Sequence, residues 1–167
     1  MVEIMDLDLF DRHILEELQR DARAPIAVIA DRVGLSQAAC YRRVRALRAS
    51  PAIVREAAVV APARLGWPLA MIVLVTLERE SSRTIADLMG AFEAEPEIGA
   101  AWQVTGEYDF VLHVFAQSME SYDALAHRLL SQDDRIRTFH THVVIRQKQG
   151  APFVPLTSRE RVNSRSA

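Results

Sequence analysis

Cysteine is almost absent from this chain: Cys40 is the single one in 167 residues. It has no partner for an internal disulfide and begins no zinc cluster, which disfavours both a secreted disulfide scaffold and a zinc finger. Long apolar runs are missing as well. The longest, 69–75, is far too short to cross a bilayer. The opening Met1-Val2-Glu3-Ile4-Met5-Asp6 has neither a basic stretch nor an apolar core, so no signal peptide is expected and the default compartment is the cytoplasm. Lysine is nearly absent too. Nineteen of the twenty basic residues are arginine, a bias that alone says little about function.

What is present is an ordinary globular composition, half apolar and a quarter charged, long enough for one domain or two small ones. The net charge of −2 argues against a general nucleic-acid binder, but its distribution is uneven. Residues 1–67 carry +1, residues 68–149 carry −5 and residues 150–167 carry +2.

Three helices are expected first. Asp8 can cap a helix with an apolar stripe of Phe10, Ile14, Leu15 and Leu18. Pro25 suits the first turn of a second helix over 26–32, which Gly34 ends. Ser36 caps a third helix to about Arg48, with Cys40, Val44 and Leu47 inward, and Pro51 stops it. A short strand is expected over 53–60, followed by the punctuation of Pro62, Gly66 and Pro68.

Beyond that the period changes. A buried strand over 70–77 precedes a helix over 82–95 with Ile85, Leu88, Met89 and Phe92 on one face. Strands over 98–105 and 108–115 follow, joined by Gly106-Glu107 as a two-residue hairpin. A helix over 119–131, with Met119, Tyr122, Ala126 and Leu129 in register, leads to a last strand over 136–145. This βαββαβ order is the ferredoxin-like plan, so the class is α+β: three helices, then a ferredoxin-like domain. The expected domains are 1–52, a connector 53–69, a second domain 70–156 and a polar tail 157–167 that is expected to fray. Both helices of that plan cover one sheet face. Yet 71–75 and 110–112 are apolar at consecutive positions, so the other face also wants cover, most simply from a second copy.

The segment 26–45 meets the needs of a helix-turn-helix. Ala30 is small where the helices cross, Gly34 sits in the turn, and Ile29, Val33, Leu35 and Val44 pack between them. With Cys40, Val44 and Leu47 inward, Ala38, Arg42 and Arg45 face the opposite way and Tyr41 lies on a flank. From Ser36 to Arg55 there are five arginines and no acid, a footprint suited to phosphate or guanine edges. The competing reading is a plain three-helix bundle with a solvated arginine face. In the hairpin, Gly106 can present N–H groups to a carboxylate and Asp109 can pair with an ammonium, which together suit an amino acid. Ordinary turn chemistry is the alternative.

Leu7-Asp8, Asp11, Ile14-Leu15, Leu18-Gln19 and Asp21-Ala22-Arg23, then Val33-Gly34-Leu35-Ser36 and Cys40-Tyr41-Arg42-Arg43-Val44 with Leu47, resemble the N-terminal half of the Lrp/AsnC regulators. Val104-Thr105-Gly106-Glu107-Tyr108-Asp109-Phe110 and Pro155-Leu156 resemble that family's effector and assembly module. The resemblance spans roughly 6–156. It implies a transcription regulator that binds promoter DNA, responds to an amino acid, and forms a homodimer that can build an octamer. On this reading the DNA contacts come from Ser36, Gln37, Ala38, Tyr41, Arg42, Arg43, Arg45 and Arg48. The effector contacts come from Thr105, Gly106, Tyr108, Asp109 and Thr141. Pro51-Ala52 departs from the family's usual Gly-Val there, and Glu56 replaces an aromatic or polar residue, so the turn after the third helix must differ.

His140 and His142, with His113 on a neighbouring strand, are the remaining candidates, as the start of a metal site. They support a minority reading as a small metalloenzyme; an assembly module without ligand is a third. Two partly buried histidines flanking Thr141 is the more ordinary account. Cys40 reads as a small core residue. Neither a nucleophile elbow nor a phosphate-binding loop is present, and no cofactor, metal or membrane partner is expected.

Overall fold

Asp8 accepts a hydrogen bond from the Asp11 amide at 2.8 Å, and α1 (Leu9–Arg20) starts there in the computed structural model, which describes residues 5–147 and 154–156. Pro25 stands at the N-cap of α2 (Ile26–Val33), one position before the helix rather than inside it. Gly34 ends α2 in the left-handed region at φ 74°. Ser36 caps α3 (Gln37–Ala49) by accepting from the Ala39 amide at 3.2 Å. Ile14, Ile29, Ala30, Cys40 and Val44 form the centre of the core these helices share. Phe10 does not join it. It is 39% exposed, beneath the Arg43 guanidinium at 5.6 Å.

The chain divides into two units. One comprises α1–α3 with the connector up to residue 59 and the described residues 154–156; the other runs from residue 60 to residue 147 of the described chain. The expected strand over 53–60 is absent. That stretch has no ladder partner among the described strands, and Val54 and Val59 are 92% and 77% exposed. Apolar spacing alone does not make a strand where no second strand satisfies its backbone. Residues 154–156, grouped by the sequence with the second domain, bind α1 instead. Gln19 donates to the Val154 carbonyl at 3.0 Å and accepts from its amide at 2.7 Å, while Glu16 accepts from the Leu156 amide at 3.0 Å. Leu156 packs on the helical core. The tail 157–167 lies outside the described residues.

The second unit has the expected order: β1 (Leu69–Leu77), α4 (Ser82–Ala94), β2 (Ile98–Gln103), β3 (Phe110–Ala116), α5 (Met119–Ala126) and β4 (Ile136–Val143). The sheet is antiparallel throughout in the order β2-β3-β1-β4. Met71, Val73, Val75, Phe110 and Leu112 turn to the helices and are buried against Leu88, Phe92 and Leu125. The Phe92 and Phe110 rings meet edge to face at 5.3 Å. The expected helix 119–131 changes character after Ala126, where His127–Ser131 form a π turn. Tyr122, Leu125 and Ala126 face inward from α5 and Leu130 from the π turn, with Leu129 partly buried beside them, while Met119, the first residue of α5, is half exposed.

Among the described residues of this unit, no helix packs on the opposite sheet face. Its rows follow from the register: Trp102, Val111, Leu74 and His140 lie abreast, as do Ala100, His113, Ile72 and His142. No helix among the described residues is long and apolar enough to cross a membrane.

Candidate nucleic-acid interface and effector hairpin

Helix α3 sorts its arginines into two groups. Arg43 reaches back to α1, donating to Asp8 at 2.7 Å and Asp11 at 2.8 Å. These carboxylates hold the guanidinium above its ordinary value, Asp11 foremost, and the Asp11 amide, with Arg43, holds Asp8 below its own. Arg48 donates to Glu56 at 2.9 Å and to the Ala22 carbonyl at 3.0 Å. Both arginines therefore brace the helix. Arg42 and Arg45 are exposed and, among the described residues, have no hydrogen-bond or ion-pair partner. Gln37, Ala38 and Tyr41 are exposed beside them, Tyr41 by 56%. Ser36 is exposed too, with its hydroxyl occupied by the cap. The result is an outward surface of two unpaired guanidiniums, a phenol and an amide on a helix with no acid of its own. Such a surface can hold phosphate and read base edges.

The hairpin is wider than a two-residue turn. Val104 donates to the Asp109 carbonyl at 2.9 Å, which leaves Thr105, Gly106, Glu107 and Tyr108 in the loop. The cause is Asp109, whose backbone amide donates to Val75 at 2.9 Å and whose carboxylate accepts from the Leu77 amide at 2.7 Å. This residue ties the loop to β1. Gly106 has φ 126°, a conformation that side-chain-bearing residues rarely adopt, and nothing crowds its Cβ position. Thr105 and Gly106 are exposed, Tyr108 is half-buried, and its ring meets His140 edge to face at 6.1 Å. The sequence reading missed Glu80. A hydrogen bond that its protonated carboxyl donates to Asp109, together with the like charge of that residue, raises Glu80 above its ordinary 4.5. No local signal marks it, because Glu80 is 29 positions upstream, just after β1. Thr141 stands apart from the loop, its hydroxyl hydrogen-bonded to that of Tyr122 under α5.

The histidines do not converge. His140 and His142 share the uncovered sheet face with His113, but β1 lies between β4 and β3, so His113 is two strands away rather than on a neighbouring one. Among the described residues no three His, Cys, Asp or Glu side chains form a metal-binding group. Cys40 is fully buried, and burial pushes its thiol up.

Residues 7–48 match the family model of the AsnC-type helix-turn-helix domain, and residues 70–152 match that of the Lrp/AsnC ligand binding domain. The chain is 34% identical over 139 residues to an HTH-type transcriptional regulator of Haemophilus influenzae, covering 83% of each. It is 32% identical over 151 residues to a leucine-responsive regulatory protein of Rhizobium meliloti, covering 90% of this chain and 97% of that one. A crystal structure of an AsnC family transcriptional regulator from Agrobacterium tumefaciens superposes with a TM-score of 0.80 at 25% identity, covering 90% of this chain and 97% of the other.

Proposed function

Since the chain belongs to the Lrp/AsnC family of transcriptional regulators, we propose that it reads promoter DNA with the outward face of α3 and takes an amino acid at the 105–109 hairpin. The observation that carries the DNA half is the division of the α3 arginines. Arg43 and Arg48 are spent on bracing, and Arg42 and Arg45 stay free beside Gln37, Ala38 and Tyr41. Replacing Arg42 and Arg45 together with Ala weakens specific binding by roughly 2–6 kcal/mol, at ~1–3 kcal/mol for each good contact. Fluorescence anisotropy with the chain's own promoter checks this. Unchanged affinity with an unchanged salt slope rules out this face of α3.

At the hairpin, the exposed amides around Gly106 suit a carboxylate, while the Asp109 and Glu80 carboxyls beside them suit an ammonium. Thr105 and Tyr108 flank the loop; Thr141, engaged with Tyr122, serves from behind the sheet rather than as a direct contact. The amino acid is found by a thermal-shift screen, since a ligand that binds only the folded state adds about 2.7 kcal/mol at a hundredfold excess over its Kd. Asp109→Asn then tests the site. The Asn carbonyl oxygen can still accept from the Leu77 amide, so the hairpin stays tied while the charge is gone. Calorimetric titration is expected to show lost amino-acid binding, with DNA affinity retained. Equal heats for variant and parent leave Asp109 as a tie to β1 only.

The uncovered sheet face, with Leu74, Ile72 and Val111 at its centre, is proposed to meet a second copy, and the resulting dimer to build larger rings up to an octamer. The chain is read as a cytoplasmic binding protein rather than an enzyme.

A further inference from the structure

At the end of the sheet away from the 104–109 hairpin, where β1 begins and β3 ends, the second unit holds a partly open cavity of about 130 Å³. Two rings line it, Trp67, just before β1, and Tyr122, on α5; Phe115, near the end of β3, borders it too but turns its ring to the opposite sheet face beside His113. Each is held by its surroundings. The Trp67 amide donates to Pro62 at 3.0 Å, the Phe115 amide donates to the Glu97 carbonyl at 2.8 Å, and the Tyr122 hydroxyl bonds Thr141.

Glu97 lines the same cavity and gives it a charge. Its Oε2 is buried and, among the described residues, has no hydrogen-bond partner. Arg128 feels this carboxylate but gives its guanidinium to Glu95, at 2.5 and 2.9 Å. A buried acceptor without a donor is costly, so a guest that brings an N–H gains what the protein leaves unmade. Aromatic faces favour a cation and the carboxylate disfavours an anion. With a water taking about 30 Å³ of liquid, the cavity admits a group of roughly four heavy atoms. We propose that this cavity is a second ligand site, separate from the hairpin, that takes the N–H-bearing ammonium head of a small amine, held by Glu97 and walled by Trp67 and Tyr122.

The test uses the full chain with Trp102→Phe, which leaves Trp67 as the only tryptophan. n-Propylammonium chloride is titrated at constant ionic strength while Trp67 emission is followed. A saturable change is expected. Tetramethylammonium, equally charged but without N–H, is expected to bind about tenfold more weakly or worse, and Glu97→Gln to weaken propylammonium by a similar factor. Thermal melts check that Glu97→Gln is folded, and the comparison of the two cations needs no variant. Because Asp109→Asn leaves this cavity intact, propylammonium binding is expected to survive it, so failure here and failure at the hairpin are distinguishable. A response that stays linear, equal binding of the two cations, or unchanged affinity in folded Glu97→Gln overturns the proposal.

Discussion

Gly34 and Gly99 are needed for opposite reasons, and each reason sets its own penalty. Gly34 has open space around its Cβ position but a φ of 74°, so Gly34→Ala strains only the backbone, by about 1–2 kcal/mol. Gly99 lies under the Phe115 ring, so Gly99→Ala forces that ring aside, and its packing 4.5 Å from the His113 ring is disturbed. Urea unfolding is expected to show both losses, with Phe115→Leu relieving the second and not the first. His113 supplies a pH dependence. Burial pushes its pKa below the ordinary 6.5, so the folded state resists the proton that the unfolded chain accepts. Stability is then full above 6.5 and falls as the pH drops from there towards the lowered value. His113→Gln is expected to flatten that fall in denaturation midpoints measured between about pH 7 and pH 5. At this scale the sequence was legible where the chemistry is local: Asp8 and Ser36 cap as expected, and Gly34 turns as expected. It was illegible for Arg43, whose partners Asp8 and Asp11 lie 35 and 32 positions away. Helical rotation turns Arg43 about 100° away from Arg42, but nothing along α3 says which acids it meets.

Elements follow the same rule. The helices and the βαββαβ order were readable because apolar spacing and caps are written along each segment. The connector over 53–60 was misread because a strand is a property of two segments, and its apolar residues describe only one. The hairpin was misread because Asp109 answers to Val75 and Leu77 on β1 rather than to its own turn. The π turn at His127–Ser131 has no sequence mark. Residues 154–156 behave as a clasp on α1. Gln19 pairs with both peptide groups of Val154, and removing it by Gln19→Ala is expected to cost about 1 kcal/mol. Hydrogen exchange of the α1 amides in the full chain measures it; protection equal to that of the parent means the clasp contributes nothing.

For the whole molecule, the sheet face on which no described helix of its unit packs is the surface the sequence marked for a partner, through consecutive apolar residues at 71–75. A second copy on that face buries on the order of 2,000 Å² or more if it is an obligate contact. Leu74→Arg is expected to lower the sedimenting mass of the chain; an unchanged mass places the contact elsewhere. The clasp has a consequence of another kind, in the order of synthesis. The N-terminal unit is assembled from two stretches of the polypeptide, α1–α3 with the connector and residues 154–156, with the whole second unit inserted between them in sequence. A chain growing on the ribosome at about 5–20 residues per second exposes α1–α3 several seconds before Leu156 exists. The three helices therefore first fold with the Gln19 amide in water and the Leu156 seat empty, and the helical unit is complete only once Leu156 has been made.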